Sequence, residues 1–177
     1  MTTTIPPVGG APDLAALLAA GDIQGALQLV MGNRVQLLDA QLAQQIQAVQ
    51  DRNDQISKLN DALAKLNAMY SYCGANATDK LTAPKDNVAG YQSAEAAANN
   101  ACADAGAGIS INTNTTHADL DAAITKLKGQ IDTASNNQQM DMLRLQSLNN
   151  KRDEAFDLLT TTQKGFHDAN TGIVQHM

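Results

Sequence analysis

The chain has 177 residues, a formal net charge of −6 at pH 7 and aromatic side chains at only 3% of positions, with no Trp. An acidic chain without a basic patch excludes the phosphate-neutralising surface that nucleic-acid binding needs, and it disfavours an anionic membrane surface. The scarcity of large side chains favours helices packed through Leu, Ile, Val and Ala. We therefore expect an all-α protein that has no nucleic-acid partner.

Residues 1–12 are rich in Thr, Pro and Gly, and we expect them to be disordered because they offer little apolar surface to bury. They lack the basic and apolar regions of a secretory signal peptide. Asp13 predicts the N-cap of a short helix that Gly21 ends, and Asp22 predicts a second N-cap. Residues 13–71 thus comprise a short N-terminal helix and a first coiled-coil helix.

From Val35 onward, apolar residues recur at the first and fourth positions of a seven-residue repeat. The repeat persists for about five heptads, more than the three or four that already argue for a coiled coil. Its predicted core positions are Val35, Leu42, Val49, Ile56, Leu59, Leu63 and Leu66.

Residues 72–115 break this repeat with many Ala, Asn, Gly and Thr residues, and Pro84 interrupts any helix there. We expect a small, variable and irregular insert with one helical turn near residues 94–101. Apolar Ile109 and Ile111 alternate with polar neighbours, which is typical of a short strand.

Residues 116–177 form the second coiled-coil helix. Thr116 followed by Asp119 is a helix-start signal in which an N-cap hydroxyl precedes an acidic residue by three positions. The core positions next to this start are Leu120, Ile124, Leu127 and Ile131. Two long heptad helices joined by a small insert predict an antiparallel coiled-coil hairpin.

The predicted hairpin register brings polar residues of the two helices to the same level. Arg52 interrupts the first helix, and Gln138 and Asp141 interrupt the second, so Arg52 can reach Asp141 between the helices. Such a polar layer costs stability but fixes register. The alternative is that Arg52 extends its guanidinium to water.

The second helix carries more apolar residues near its end than the first helix can cover. A two-helix hairpin this thin buries little surface by itself. The N-terminal segment, neighbouring copies of the chain or a chaperone could cover the excess. Assembly is predicted to run through Leu145, Leu148, Phe156, Leu159, Phe166 and Ile173.

No pattern in the chain points to an enzyme, a cofactor or a metal site. The Cys and His spacing fits no zinc site. Cys73 and Cys102 could form a disulfide in an oxidising compartment, or they could remain free thiols in a reducing one. Met140 and Met142 are interpreted as packing residues rather than as cofactor ligands.

With this architecture in view, the chain resembles the EspA-type filament proteins of bacterial type III secretion systems. The stretches NRVQLLDAQLAQQIQAVQDRNDQISKLNDAL and DLDAAITKLKGQIDTASNNQQMDMLRLQSLNNKRDEAFDLLTTTQKG carry most of the likeness. The family layout is a Thr/Ser-rich export segment that is not cleaved, a long helix, a small variable region and a long C-terminal helix. The likeness covers nearly the whole chain in layout, and the cysteine pair departs from the family pattern.

The resemblance implies a structural subunit that is secreted to the bacterial surface and polymerises into a hollow extracellular filament. The filament would extend the secretion needle and conduct effector and translocator proteins to the host cell. The implied partners are copies of the chain, the needle, translocator pore proteins and a cytosolic chaperone before export. The alternatives are a needle-tip protein of the V-antigen type and an intracellular coiled-coil adaptor or chaperone.

An amide-rich stripe of the second helix would suit the wall of such a channel. It includes Gln139, Gln146, Asn149 and Asn150, whose side chains are uncharged and would hold neither acidic nor basic cargo tightly. The alternative is that the stripe is an ordinary solvated face of a coiled coil.

Overall fold

The computed structural model describes residues 13–175, and within them the side chains of residues 13–168 and 171. The predicted disorder of residues 1–12 and the side chain of Ile173 lie outside the described part. The elements in chain order are α1 (Leu14–Ala19), α2 (Ile23–Ala68), a 3₁₀ turn (Met69–Tyr72), α3 (Val88–Asp104) and α4 (His117–Gln175). The described residues contain no strand, so the predicted all-α class is confirmed.

The chain divides into two compact units. Unit 1 comprises Met1–Gln45 with Arg144–Met177, and unit 2 comprises Ile46–Leu143. Long helices α2 and α4 contribute to both units and pack against each other as an antiparallel hairpin. No described helix combines the length and the apolar character that crossing a membrane requires.

Local capping explains where α1 and α2 begin. The Asp13 carboxylate accepts a hydrogen bond from Ala15 N, and Asp22 Oδ1 accepts one from Gly25 N at 2.8 Å. Gly21 joins the helices with a φ of 73°, a left-handed conformation that glycine adopts at little cost. The predicted caps are confirmed.

The core of unit 2 holds most of the predicted coiled-coil residues. Leu59 and Leu66 of α2 are buried, and Ile56 and Leu63 pack against them from partly buried positions. Of the predicted α4 residues, Leu120, Ile124 and Leu127 are buried and Ile131 is partly buried. Val49 of α2 is half-buried. The heptad positions of this stretch therefore lie in the core of unit 2, together with residues of the insert such as Leu81 and Tyr91.

Helix α3 corrects the prediction that the insert holds one helical turn. The helix spans Val88–Asp104, and the Asn87 side chain caps it by accepting a hydrogen bond from Gly90 N. Its buried residues are Tyr91, Ala98, Ala101 and Cys102. Because most of these side chains are small, the helical repeat of hydrophobic residues is weak. The sequence therefore predicted a helix much shorter than the observed one.

The predicted strand near Ile109 and Ile111 is also wrong. Ile111 is buried, but its backbone pairs with a side chain rather than with a neighbouring strand. Ile111 N donates to Asn99 Oδ1 at 2.8 Å, and Asn99 Nδ2 donates to Ile111 O at 2.9 Å. The Asn99 amide thus satisfies the backbone groups that a strand would have paired.

The start of α4 is held by the predicted Thr116–Asp119 capping box. Asp119 Oδ2 accepts from Thr116 N at 3.0 Å, and Asp119 N donates to Thr116 Oγ1 at 3.2 Å. Two backbone hydrogen bonds, from His117 N to Asp79 O and from Ala118 N to Ala77 O, also attach the start of α4 to the loop that precedes α3. The helix start is therefore capped locally and fixed by the insert.

Unit 1 has a smaller core. Val35, Leu38 and Ala155 form its buried cluster among the described residues, and Leu148 packs against them from a partly buried position. Leu42 is half-buried, in line with its predicted core position.

Candidate functional site

The polar layer of unit 2 brings together the residues that the sequence predicted. Arg52 Nε lies 3.6 Å from Asp141 Oδ2, with the two side chains 32% and 14% exposed. An Arg52 terminal nitrogen also donates to Gln55 Oε1 at 3.4 Å. The partial burial and the Asp141 contact favour the predicted layer over a guanidinium that extends freely to water.

Gln138, the third predicted member of the layer, has a partner that the sequence did not indicate. Its Nε2 donates to Asn53 Oδ1, which lies on α2 next to Arg52. Asn53 is outside the core positions of the heptad, and the predicted register placed Gln138 opposite Arg52, so the pairing of Gln138 with Asn53 was not predicted. The layer therefore consists of an ion pair and an amide pair side by side.

A second polar cluster lies where α2 ends and α4 begins. The Tyr70 hydroxyl donates to Asp121 Oδ1, and this hydrogen bond, together with burial, raises the pKa of Tyr70 to about 12. His117 Nδ1 donates to Gly74 O at 2.8 Å, and its Nε2 lies 3.7 Å from Asp121 Oδ2. These contacts join the 3₁₀ turn and the following loop to the first turns of α4.

Neither polar cluster has the composition of a metal site. Among the described side chains, no group of three or more His, Cys, Asp or Glu residues could hold a metal ion. A groove of about 350 Å³ beside Arg52 is lined mainly by amides and small residues, including Gln55, Gln130 and Asn137.

The cysteines are free thiols in the structure, so the alternative of a Cys73–Cys102 disulfide is not realised. Cys73 Sγ donates to Asp79 O at 3.2 Å, which directs it toward the loop backbone. Cys102 is buried in the α3 face of the core, and this burial raises the pKa of its thiol. Both thiols serve as parts of the packed insert.

The predicted assembly residues of α4 lie in unit 1 and are incompletely covered. Leu145, Leu148, Leu159 and Phe166 are half-buried, whereas Phe156 is 52% exposed. Within the chain, this segment of α4 therefore leaves part of the surface of its large apolar side chains exposed to water.

The structure also exposes apolar side chains that the sequence analysis missed. Met140 and Met142 are exposed, which contradicts their interpretation as packing residues, and Leu143 beside them is 66% exposed. In unit 1 the exposed set on the first two helices is Leu14, Leu18, Ile23, Leu27, Val30 and Leu37. The heptad identifies residues that face a neighbouring helix of the same chain, and these residues lie outside it.

The amide stripe is solvent-exposed within each unit. Gln139 is exposed in unit 2, and Gln146, Asn149 and Asn150 are exposed in unit 1. Asn149 Nδ2 donates to Asp153 Oδ2 at 3.4 Å along the same helix. This exposure is consistent with either the channel wall or an ordinary solvated face.

Comparisons place these surfaces in no known family. Family models, curated proteins and solved structures gave no match to this chain. The surface chemistry and the resemblance in helix layout therefore carry the functional argument.

Proposed function

We propose that the chain is a structural subunit that assembles with copies of itself. Following the resemblance to EspA-type proteins, the assembly is a hollow extracellular filament on the bacterial surface, through which type III effector and translocator proteins pass. Its proposed partners are the secretion needle that the filament extends, translocator pore proteins, and a cytosolic chaperone that covers the subunit before export.

The placement of the two phenylalanines supports self-assembly. The chain has only Phe156 and Phe166, and both lie on α4 within unit 1. Neither is buried, although aromatic side chains normally contribute most to the energy of a core or an interface. A chain that leaves Phe156 exposed and Phe166 only half-buried gains stability when a partner surface covers them.

The small core of unit 1 supports the same conclusion. Its buried cluster rests on Val35, Leu38 and Ala155, which together offer little apolar area. The Arg152–Asp39 ion pair, at 2.7 Å, adds little because both side chains are well exposed to water. Contacts from neighbouring copies would supply the burial that the single chain lacks.

Electron microscopy of the purified chain, combined with analytical ultracentrifugation over a range of concentrations, tests the proposal. We expect tubes with a central channel that form above a critical concentration. Discrete particles would instead indicate the needle-tip alternative, and small dimers would indicate an intracellular adaptor. A chain that stays monomeric at all concentrations contradicts self-assembly.

Export requires a separate experiment in cells. Deletion of residues 1–12 should abolish release of the chain through the secretion apparatus while the purified variant still polymerises. The matched control is a variant with residues 1–12 intact and Asp substitutions at exposed Gln50 and Ser57. Release of the deletion variant at the normal rate would contradict the assignment of residues 1–12 as the export segment.

A further inference from the structure

Among the described residues, exposed apolar side chains also occur away from the end of α4, and a first set of them begins at Leu14. Leu14 and Leu18 are four residues apart on α1, and Ile23, Leu27 and Val30 follow at helical spacing on α2. All five side chains are exposed, with Ile23 at 71%. This set of five residues is called the N-terminal face.

The second surface is the end of unit 2 on α4. Successive residues of an α-helix point about 100° apart around its axis, so Met140, Met142 and Leu143 leave the helix in three different directions. All three are exposed, whereas Asp141 between them turns toward Arg52 of α2. These three residues are called the methionine belt.

The methionine belt reverses the usual arrangement of a coiled coil. At this level polar Arg52, Gln138 and Asp141 lie between the helices, and apolar side chains lie on the outside. A helix segment that is apolar on its outer sides is normally covered by other helices. Methionine adapts readily to different partner shapes, which suits a contact surface.

Charges of opposite sign lie beside parts of the two surfaces. Asp13 and Asp22 lie beside Leu14 and Ile23 of the N-terminal face, whereas exposed Arg34 lies one turn beyond Val30 at its other end. Arg144 follows the methionine belt directly and is exposed. Attraction between Arg144 and the Asp13–Asp22 end of the N-terminal face would set the direction in which the two apolar patches align.

We propose that the N-terminal face of one copy docks on the methionine belt of the next copy. This inference rests on the proposed self-assembly and adds one contact, which acts together with the predicted α4 contact at Leu159 and Phe166. Since the two surfaces differ, the contact is heterologous, and each copy has one surface of each kind to offer. Repetition of such a contact extends an open polymer, whereas a contact between identical surfaces would close a dimer.

Two double variants break one surface each. Leu18→Asp with Ile23→Asp places charge on the N-terminal face, and Met140→Asp with Leu143→Asp places charge on the methionine belt. The control adds the same charge at Gln50→Asp and Ser57→Asp, which are exposed on α2 and outside both surfaces. Circular dichroism verifies that each variant remains helical.

Each broken variant alone should remain monomeric, and the control should polymerise like the unmodified chain. An equimolar mixture of the two broken variants should form a heterodimer that does not grow, because it offers only one intact pair of N-terminal face and methionine belt. Small amounts of either variant should cap and shorten polymers of the unmodified chain. Milder Ala substitutions at the same positions should raise the critical concentration about tenfold.

Several outcomes would overturn this contact without touching the proposed function. A broken variant that still dimerises alone would indicate contacts between identical surfaces. A mixture that remains monomeric while the unmodified chain polymerises would show that other residues carry the contact. Failure of the unmodified chain to polymerise would overturn self-assembly itself and this contact with it.

Discussion

Arg52 and Asp141 form an ion pair between α2 and α4, with Nε and Oδ2 3.6 Å apart and both side chains partly shielded from water. Partial desolvation reduces the net gain of such a pair, because each charge loses part of its hydration. The contribution of this ion pair to stability and its effect on the register of α2 and α4 can therefore differ. Substitutions can measure the two effects separately.

Replacing Arg52, Gln138 and Asp141 together with Leu should stabilise the hairpin by about 1 kcal/mol, because apolar packing would replace a costly polar layer. That gain corresponds to a rise of about 2–4 °C in melting temperature for a chain of this size. We expect assemblies of the triple variant to be less uniform, since the register constraint is lost. Calorimetry and electron microscopy measure the two effects.

The single variant Asp141→Leu is the control for the triple variant. It leaves the Arg52 charge without this partner in a partly buried position and should lower stability by about 1 kcal/mol. If the triple variant also loses stability, the polar layer is a net stabiliser.

The raised pKa of Tyr70 predicts that the folded chain loses stability at alkaline pH. Its pKa is raised from 10.0 to about 12, so the folded state holds this proton more tightly than the unfolded state does. The stabilisation is therefore complete below about pH 10 and is lost as the pH rises toward about 12. Asp121→Asn should lower the pKa of Tyr70 toward its ordinary value, as measured by tyrosinate absorbance.

Tyr91 is a second tyrosine whose pKa is raised, mainly by burial, and it also titrates late. The titration must therefore be repeated in a Tyr91→Phe background, in which the Asp121→Asn effect should persist. An unchanged titration after Asp121→Asn would mean that the hydroxyl–carboxylate contact does not control the pKa of Tyr70.

The capping box at Thr116 and Asp119 predicts the opposite pH dependence. Hydrogen bonds from the Thr116 backbone and hydroxyl lower the pKa of Asp119 below its ordinary 3.8. The contribution of Asp119 is therefore present above about pH 4 and is lost as the pH falls through its lowered pKa. Thr116→Ala should cost about 1 kcal/mol in denaturant unfolding at pH 7.

Thr116→Ser keeps the capping hydroxyl and should retain nearly the full stability. The acid sensitivity assigned to Asp119 should disappear in Asp119→Asn. Identical acid unfolding of Asp119→Asn and the unmodified chain would contradict the assignment.

The features that the sequence predicted correctly depend on local patterns. The Asp13, Asp22 and Thr116 caps need only residues within three positions, and the heptad needs only its own spacing. The pairing of α2 with α4 was predictable because the apolar positions of the two helices match in an antiparallel register. In that register their polar interruptions also lie at the same level. The Arg52–Asp141 contact is the clearest result of that matching.

The features that the sequence did not predict depend on tertiary contacts. Asn99 replaces a neighbouring strand for Ile111, and nothing in the local sequence indicates that Asn99 and Ile111 meet. Likewise, Met140 and Met142 are of a residue type that is common in packed cores. Only the position of α2 shows which side of α4 is exposed to solvent. Exposure is a property of the assembled fold, so the candidate surfaces were only partly predictable.

Leu159 and Phe166 are predicted to contribute to assembly through the end of α4. Both are half-buried in unit 1, so a charge at either position would oppose coverage by a neighbouring copy. The double variant Leu159→Asp with Phe166→Asp should give helical, soluble monomers in sedimentation experiments. The control is Thr160→Asp with Lys164→Asp, at exposed positions of the same helix. Polymers of normal length from the Leu159/Phe166 variant would contradict this role.

Asn149 and Asn150 test whether the amide stripe lines a channel. Both are exposed on α4, so Tyr substitutions there should leave the fold intact and allow tubes to form. If the stripe lines the channel, the aromatic rings would bind apolar segments of passing unfolded cargo and slow export severalfold. Tyr substitutions at Gln41 and Gln44, exposed amides on α2, provide the matched control. Export at the same rate through tubes of both variants would show that the stripe is a solvated outer face, because only a channel wall contacts the cargo.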